Sequence, residues 1–68
     1  MNTGRYIVLY SYHAQDENDL SVERGHVVTL LNSDDPDWSW VALNDQLEGF
    51  VPSGFIYPYD ALQRQRKF

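Results

Sequence analysis

Hydrophobic residues occur along the chain in five short runs, each bounded by polar, glycine or proline residues. Strand side chains alternate between two faces, and short runs rich in Val, Ile, Leu, Tyr and Trp are typical of β-strands. We therefore predict strands at residues 6–12, 27–31, 37–43, 48–51 and 56–57. No stretch has the periodicity of a long amphipathic helix, so the pattern predicts a small all-β barrel or sandwich.

The third predicted strand places two tryptophans on one of its faces. Trp38 and Trp40 are two positions apart and share a side, while Val41 and Leu43 lie on the other side. If Val41 and Leu43 contribute to a core, the two indoles face outward beside the acidic stretch 34–37. An apolar patch bordered by polar groups commonly marks a binding surface. The strand therefore predicts a partner site on its outer face.

A long loop is predicted between the first two strands. Residues 13–19 are polar and acidic, and Leu20 and Val22 then alternate with polar neighbours. We predict that these two side chains hold the loop against the core. Gly25 is predicted to supply a positive φ in the turn that precedes the second strand.

Two shorter turns and a core complete the pattern. Asn44 and Asp45 predict a hairpin turn. Pro52 lacks an amide hydrogen, so we expect it to end its strand and to begin one 3₁₀ turn at 52–55. The predicted core consists of Leu9, Leu20, Val28, Leu30, Val41, Val51 and Ile56.

The composition limits what can stabilise the chain. It has 68 residues and no Cys, and two histidines cannot form a structural metal site alone. We therefore expect one domain without a disulfide, a metal or a cofactor. Its hydrophobic fraction of 43% is too high for a disordered chain. The absence of Cys fits a reducing compartment, and we expect a cytoplasmic domain that is monomeric in isolation.

The charge and the motifs restrict the function. A net charge of −5 repels the phosphate backbone, so we expect no nucleic-acid binding and instead a basic partner. No apolar run approaches the roughly 20 residues needed to cross a bilayer, and no signal-peptide pattern opens the chain, so membrane insertion is not expected. No nucleophile motif, phosphate loop or metal constellation occurs, so the protein is not expected to be an enzyme.

Four short motifs, taken together, resemble those of one family. They are Val-Leu-Tyr-Ser-Tyr at 8–12, Asp-Leu-Ser at 19–21 with Gly25, Asp-Trp at 37–38, and Gly-Phe-Val-Pro-Ser at 49–53. In this order and at these separations, the chain from about residue 6 to residue 57 resembles a Src-homology 3 (SH3) domain.

The resemblance implies both a fold and a function. The fold is a five-stranded barrel of two orthogonally packed antiparallel sheets with a single 3₁₀ turn. The function is that of a non-catalytic module that binds proline-rich, polyproline II segments carrying an Arg or Lys. Such a module serves as an adaptor or scaffold within a larger signalling, cytoskeletal or membrane-traffic protein. In this interpretation residues 1–5 are a flexible lead-in, 6–59 the domain and 60–68 a basic tail or linker.

The resemblance also implies three pockets in one groove. Tyr10 and Phe55 line the first proline pocket, and Tyr12, Trp38 and Pro52 join Phe55 around the second. In the third pocket, Trp38 and Asp19, helped by Glu17, hold the basic residue of the ligand by stacking and ion pairing. The full set of predicted peptide-binding residues is Tyr10, Tyr12, Asp16, Glu17, Asp19, Asp37, Trp38, Trp40, Pro52 and Phe55.

The chain departs from the family pattern at four positions. Ser39 stands where a second Trp is usual, and Trp40 follows it; we predict that Trp40 widens the ligand surface. Gly54 replaces an Asn and Phe55 replaces a Tyr, which removes two polar contacts worth on the order of 1 kcal/mol each. His26 replaces an acid after the turn glycine, which puts the local turn hydrogen bond in question.

Three alternatives remain open at this point. The groove could be degenerate and contact a folded partner or its own chain. The rings of Tyr10, Tyr12, Trp38 and Trp40, with Asp19, also have suitable chemistry for a methyl-lysine cage. Finally, the basic residues in the stretch 64–67 could fold back on the acidic groove.

Overall fold

The computed structural model describes residues 4–64 and contains five strands, one 3₁₀ turn and one short helix. The elements are β1 (Arg5–Val8), β2 (Val27–Asn32), β3 (Trp38–Asn44), β4 (Leu47–Pro52), the 3₁₀ turn (Ser53–Phe55), β5 (Ile56–Pro58) and α1 (Tyr59–Arg64). We call residues 9–26, between β1 and β2, the long loop, and residues 33–37, between β2 and β3, the short loop. The predicted all-β fold class with a single 3₁₀ turn is confirmed.

The five strands form one antiparallel ladder in the order β4-β3-β2-β1-β5. The register shifts between Leu30 and Asn32 in β2 and between Ala42 and Asn44 in β3. Such irregularities increase the local twist and bend a strand, which allows a small sheet to curve around a core. Asn44 also closes the predicted hairpin turn, because its Oδ1 accepts hydrogen bonds from the amides of Gln46 (2.8 Å) and Leu47 (3.0 Å).

A single apolar cluster fills the inside of the sheet, and strand alternation decides its members. Its buried residues are Val8, Leu20, Val22, Val28, Leu30, Val41, Val51 and Ile56. Leu43 packs against this cluster, as predicted for the inner face of β3. Leu20 and Val22 belong to it, so the prediction that they hold the long loop against the core is confirmed.

The prediction that Leu9 lies in the core is wrong. Strand β1 ends at Val8, which pairs with Ile56 and is only 1% exposed, whereas Leu9 is 36% exposed. The alternation along β1 points Val8 inward, so its neighbour Leu9 points out. Val8 therefore takes the core position that the sequence analysis assigned to Leu9.

The turn that precedes β2 is held by backbone and side-chain hydrogen bonds. Gly25 has the predicted positive φ, at 94°. Its amide donates to the carbonyl oxygen of Val8 (2.8 Å), and the Val8 amide donates to that of His26 (2.8 Å). The imidazole Nδ1 of His26 accepts the amide hydrogen of Glu23 at 3.0 Å. His26 thus supplies the local acceptor that its replacement of an acid had put in question.

The chain continues past β5 into a helix that the sequence did not predict. Helix α1 packs beside β1 and β5, and the guanidinium of Arg5 lies 4.9 Å from the centre of the Tyr59 ring. Arg5 already belongs to β1, one residue before the predicted domain start. The assignment of residues 60–68 to a basic tail stays a prediction, and Arg66 and Lys67 lie outside the described residues.

Candidate functional site

Four aromatic rings form a continuous row on the surface. Tyr10 meets Phe55 with 5.4 Å between ring centroids, Phe55 meets Tyr12 at 6.1 Å, and Tyr12 meets Trp38 at 6.0 Å. All three contacts are edge-to-face, with interplanar angles of 69°, 87° and 64°. Tyr10 is 60% exposed and Trp38 37% exposed, so the row is accessible at both ends. Rings that alternate in tilt leave shallow clefts between them.

Backbone hydrogen bonds fix the rings relative to one another. The Leu9 amide donates to the carbonyl oxygen of Phe55 at 2.7 Å, which joins the start of the long loop to the 3₁₀ turn. The Ser53 amide donates to the carbonyl oxygen of Asp37 at 2.9 Å, which joins the same turn to the residue before Trp38. The 3₁₀ turn therefore positions Phe55 between Tyr10 and Tyr12 in the row.

Ser39 contributes to this anchor from inside the molecule. Its side chain is buried, and its Oγ lies 2.7 Å from the Oγ of Ser53. The position where the family usually has a second Trp thus faces inward and binds the 3₁₀ turn. Pro52, which precedes the turn, pairs with Trp38 at the end of β4.

Asp19 organises the long loop through one carboxylate oxygen. Its Oδ2 accepts the Tyr12 hydroxyl at 2.7 Å and the amides of Gln15 and Asp16 at 3.1 and 3.3 Å. The Tyr12 hydroxyl and then the Gln15 amide hold the pKa of the Asp19 carboxyl below its usual range, because they stabilise the ionised form. The same hydrogen bond raises the pKa of Tyr12 to about 12.

The far end of the long loop is attached directly to β4. Asp19 and Phe50 form a parallel bridge, in which the Leu20 amide donates to the Phe50 oxygen and the Phe50 amide donates to the Asn18 oxygen, both at 2.9 Å. The approach is close at Gly49, where an added Cβ would lie 2.8 Å from the Asn18 carbonyl oxygen. A residue without a side chain is therefore required at this point of β4.

An open cleft of about 290 Å³ lies between the two loops at the Trp38 end of the row. Its described lining consists of Asp16, Asn18, Asp19, Asp35, Trp38 and Phe50. The long loop supplies two carboxylates, the short loop supplies a third, and the indole forms one wall. A cation with a flat or extended apolar part fits this chemistry, because it can pair with a carboxylate and stack on the indole.

Three other predicted site residues lie outside the aromatic row and the described lining of the acidic cleft: Glu17, Asp37 and Trp40. Glu17 is exposed in the long loop and is not part of the described cleft lining. Asp37 lies in the short loop, where its carbonyl oxygen binds the 3₁₀ turn. Trp40 lies on the same face as Trp38, but its half-buried ring packs on Phe50 with 4.7 Å between centroids. Its role in ligand binding stays a prediction.

Three residues of the cleft were missing from the predicted site: Asn18, Asp35 and Phe50. From the sequence, Asp35 and its acidic neighbours could either be solvated or extend recognition toward basic ligand residues. Phe50 had been noted only as part of a strand motif, and no local pattern marked its contact with the long loop. The alternation along β4, which buries Gly49 and Val51, is the one feature that would have pointed Phe50 outward.

The two departures at the 3₁₀ turn leave open space instead of polar groups. No atom lies within 4 Å of a Cβ placed on Gly54, so the position would accept a side chain. Phe55 keeps the ring of the row but has no hydroxyl. At Gly54 and Phe55 the groove therefore lacks the amide and hydroxyl donors that an Asn and a Tyr usually supply in the family.

Comparison with known proteins agrees with this geometry. The family model of the SH3 domain matches residues 7–53. The chain belongs to the SH3 domain family. SH3 domains are protein-interaction modules, and this domain is 60% identical over 67 residues to the SH3 domain-containing protein Dlish of Drosophila melanogaster. The match covers 94% of this chain but only 19% of Dlish, so the domain corresponds to a small part of that relative.

Solved SH3 structures have the same fold. The C-terminal SH3 domain of myosin IB from Entamoeba histolytica, in complex with an EhFP10(GEF) peptide, matches with a TM-score of 0.76 and 29% identity, over 85% of this chain and 95% of that one. Another structure of the same myosin IB domain matches with a TM-score of 0.73 and 31% identity, over 81% and 83% of the two chains.

Within residues 4–64, no helix has the length and apolar character needed to cross a membrane. The described part of the chain also holds no group of three or more His, Cys, Asp or Glu side chains arranged to bind a metal ion.

Proposed function

We propose that this SH3 domain binds proline-rich protein segments that carry an Arg or Lys, and that it acts as an adaptor or scaffold module of a larger protein. One observation carries the proposal: the exposed row Tyr10–Phe55–Tyr12–Trp38 leads directly into a cleft lined by carboxylates. An apolar groove that ends at an acidic site matches a ligand that is apolar along its length and basic at one end.

The spacing of the rings suits a polyproline II segment. Such a segment has three residues per turn and is stiff before it binds, so docking costs little conformational entropy. Its proline ridges fit between tilted rings. We assign the first proline pocket to Tyr10 and Phe55, and the second to Tyr12, Phe55, Trp38 and Pro52.

The basic residue of the ligand is assigned to the cleft beside Trp38. A guanidinium there stacks on the indole while it pairs with a carboxylate. Asp19 already accepts three hydrogen bonds through Oδ2, so its main contribution is to hold the loop in place. Asp16 and Asp35, one from each loop, are then the carboxylates best placed to meet the ligand charge.

The expected affinity is micromolar, since one short groove buries little surface. Gly54 and Phe55 lower it further, because two hydrogen-bond donors to the ligand backbone are absent. The peptide complex of the myosin IB SH3 domain supports a peptide ligand for this fold. The 19% coverage of Dlish supports a module that works inside a longer chain.

The aromatic row does not favour a methyl-lysine cage. Cage rings surround one point, whereas these four rings follow one another along a line. Trp40, the fourth aromatic candidate for such a cage, packs on Phe50.

An amide-shift titration of the labelled domain tests the proposal. Two proline-rich peptides are used, one with Arg before the prolines and one with Arg after them. We expect shifts at Tyr12, Asp19, Trp38 and Phe55 with at least one peptide, and none in a Trp38→Ala variant that remains folded. The peptide that binds also reveals the ligand direction. No shifts with either peptide at millimolar concentration would refute the proposal and direct the search to folded partners.

A further inference from the structure

A second cleft lies beyond the Tyr10 end of the aromatic row. Its volume is about 470 Å³, and its described lining consists of Ile7, Val8, Leu9, Tyr10, Arg24 and Gly25. Tyr10 lines this cleft and also contacts Phe55, so the cleft continues the groove on the side opposite to Trp38. A ligand that leaves the first proline pocket past Tyr10 would enter it.

The lining is apolar, with a single cation at its edge. Leu9 is exposed because β1 ends at Val8, which leaves an uncovered aliphatic side chain next to the groove. Arg24 is exposed in the turn before β2, and its side chain forms no ion pair with any described residue. The neighbouring carboxylate of Glu23 is turned toward Ser11, whose hydroxyl it accepts at 3.2 Å.

The backbone around this cleft is already ordered. The Arg24 amide donates to the Ser11 hydroxyl at 2.9 Å, and the Gly25 amide donates to the Val8 oxygen at 2.8 Å. The Leu9 amide is held by the Phe55 oxygen at 2.7 Å. A ligand segment would therefore meet a surface that needs little reorganisation, which favours binding.

We infer that this cleft, floored by Leu9 and bordered by Arg24, binds a ligand segment with an apolar residue followed by acidic residues, located beyond the prolines at the end opposite to the basic residue. The inference rests on the proposed function. Charge complementarity carries it: the Trp38 end of the groove holds the carboxylates of Asp16, Asp19 and Asp35, and the Tyr10 end holds Arg24. A ligand with opposite charges at its two ends is then held in one direction only.

The sign of the charge that the domain prefers in the ligand extension distinguishes local binding at Arg24 from long-range attraction by the net charge of the domain. The chain has a net charge of −5, so long-range attraction alone favours a basic extension of any ligand. Preference for an acidic extension can arise only from a local positive site.

The test uses a proline-rich peptide with Arg at one end and a variable tail at the other, in both chain directions. The tails are Leu-Glu-Glu, Leu-Lys-Lys and Gly-Ser-Ser. We expect the acidic tail to lower the Kd about threefold to tenfold relative to Gly-Ser-Ser, with added amide shifts at Leu9 and Gly25. The basic tail should bind less tightly than the acidic one, and added salt should reduce the difference.

Variants of the domain locate the effect. Arg24→Gln should abolish the preference for the Leu-Glu-Glu tail over the Leu-Lys-Lys tail, and Arg24→Glu should reverse it. The Arg24 side chain is exposed, and only the backbone amide of this residue donates a hydrogen bond within the turn. Neither substitution should therefore change the unfolding midpoint. Arg5→Gln is the matched control, since it removes the same charge at the ring of Tyr59, and it should leave the tail preference intact.

The outcomes separate this inference from the proposed function. If the Gly-Ser-Ser peptide binds and the acidic tail adds nothing, the second cleft is not a ligand site while the groove stands. If Arg5→Gln changes the preference as much as Arg24→Gln, the effect is one of net charge and the inference is wrong. If no peptide binds at all, the proposed function fails and this inference fails with it.

Discussion

The two loops that border the acidic cleft are held in different ways. The long loop bonds to the sheet through the parallel bridge between Asp19 and Phe50, and to itself through the antiparallel bridge between Tyr12 and Val22. The short loop is shaped by local turns, in which Asn32 Oδ1 accepts the Asp34 amide at 2.9 Å and Asp35 Oδ1 accepts the Asp37 amide at 2.8 Å. Among the described residues, one backbone hydrogen bond joins the short loop to the 3₁₀ turn: the Ser53 amide donates to the Asp37 carbonyl oxygen at 2.9 Å.

Under the proposed function, this difference gives the two walls of the cleft different roles in binding the ligand. The long loop presents its carboxylates on a backbone fixed by sheet-like bonds, so its geometry is set before the ligand arrives. The short loop depends on Asx turns, which are local and solvent-exposed, so it can adjust to the ligand. A preformed wall lowers the entropic cost of binding, and an adjustable wall accepts either Arg or Lys. The predictions that follow test this division.

The largest effect is expected from Gly49→Ala, which pushes the long loop away from β4. The new Cβ would lie 2.8 Å from the Asn18 oxygen and 3.0 Å from the Asp19 carbonyl carbon and the Leu20 nitrogen, all of them backbone atoms. Neither side can move without breaking the bridge. We expect a loss of about 2–3 kcal/mol in the free energy of unfolding, measured by urea denaturation.

Gly54→Ala is the matched control for that experiment. Gly54 is exposed, has no neighbour within 4 Å of its Cβ position, and lies in the 3₁₀ turn outside both loops. Its substitution should leave the urea midpoint close to that of the wild type. Equal losses of stability in the two variants would show that the close approach of the long loop to β4 does not cause the destabilisation.

The next largest effect is expected from Trp38→Ala, which removes the wall that both loops share. The ring contacts Tyr12 and forms one side of the acidic cleft, so its loss affects the second proline pocket and the basic site together. We expect the Kd for an Arg-containing proline peptide to rise about thirtyfold, or about 2 kcal/mol, by calorimetry. Trp40→Ala should have a smaller effect, because its ring packs on Phe50 outside the row.

The strands were predicted from short-range patterns, whereas the aromatic row was predicted from the resemblance to the SH3 family. Period-two alternation placed Val41 in the core and Trp38 outside. The resemblance implied that Tyr10 and Phe55 line one pocket. The end of β1 was missed because the apolar run continues to residue 12, while the ladder ends at Val8. Hydrophobicity does not mark where pairing stops.

The lining of the acidic cleft was only partly predictable for a related reason. Asp35 lies in the short loop and Phe50 in β4, and both line the cleft with Asp19. The bridge between Asp19 and Phe50 brings the long loop to β4. That bridge consists of backbone hydrogen bonds, which leave no pattern of side chains in the sequence. Its one trace is Gly49, where the close approach requires a residue without a side chain. Likewise, nothing in the sequence indicated that Asp19 would use Oδ2 to hold its own loop.

A smaller effect is expected from removing one charge on each wall in turn. Asp35→Asn keeps an oxygen for the Asp37 amide, so the short loop should keep its turn and only the charge is lost. We expect the Kd for a basic peptide to rise about twofold to fivefold, with no change in the unfolding midpoint.

Asp19→Asn is the comparison on the other wall. An amide oxygen is a weaker acceptor for the Tyr12 hydroxyl and the loop amides, so this variant should lower both the affinity and the unfolding midpoint. Identical stability of the two variants in urea would contradict the difference between the loops.

The smallest effect is expected from Tyr12→Phe, which keeps the ring and removes one donor to Asp19. The folded-state pKa of Asp19 is lowered first by this hydroxyl, so ionised Asp19 stabilises the fold above the ordinary Asp pKa, and that contribution is lost as the pH falls through the folded-state pKa. In Tyr12→Phe the Asp19 pKa should rise toward its ordinary value, although the amides of Gln15 and Asp16 still lower it. The variant should therefore be less stable than the wild type at neutral pH and should approach it at an acid pH below the folded-state pKa of Asp19, where the carboxyl is protonated. Carbon-detected titration of the Asp19 carboxyl and urea midpoints at both pH values measure the two effects. An unchanged Asp19 pKa in the variant would mean that the backbone amides alone stabilise the charge, and that the long loop is fixed without the aromatic row.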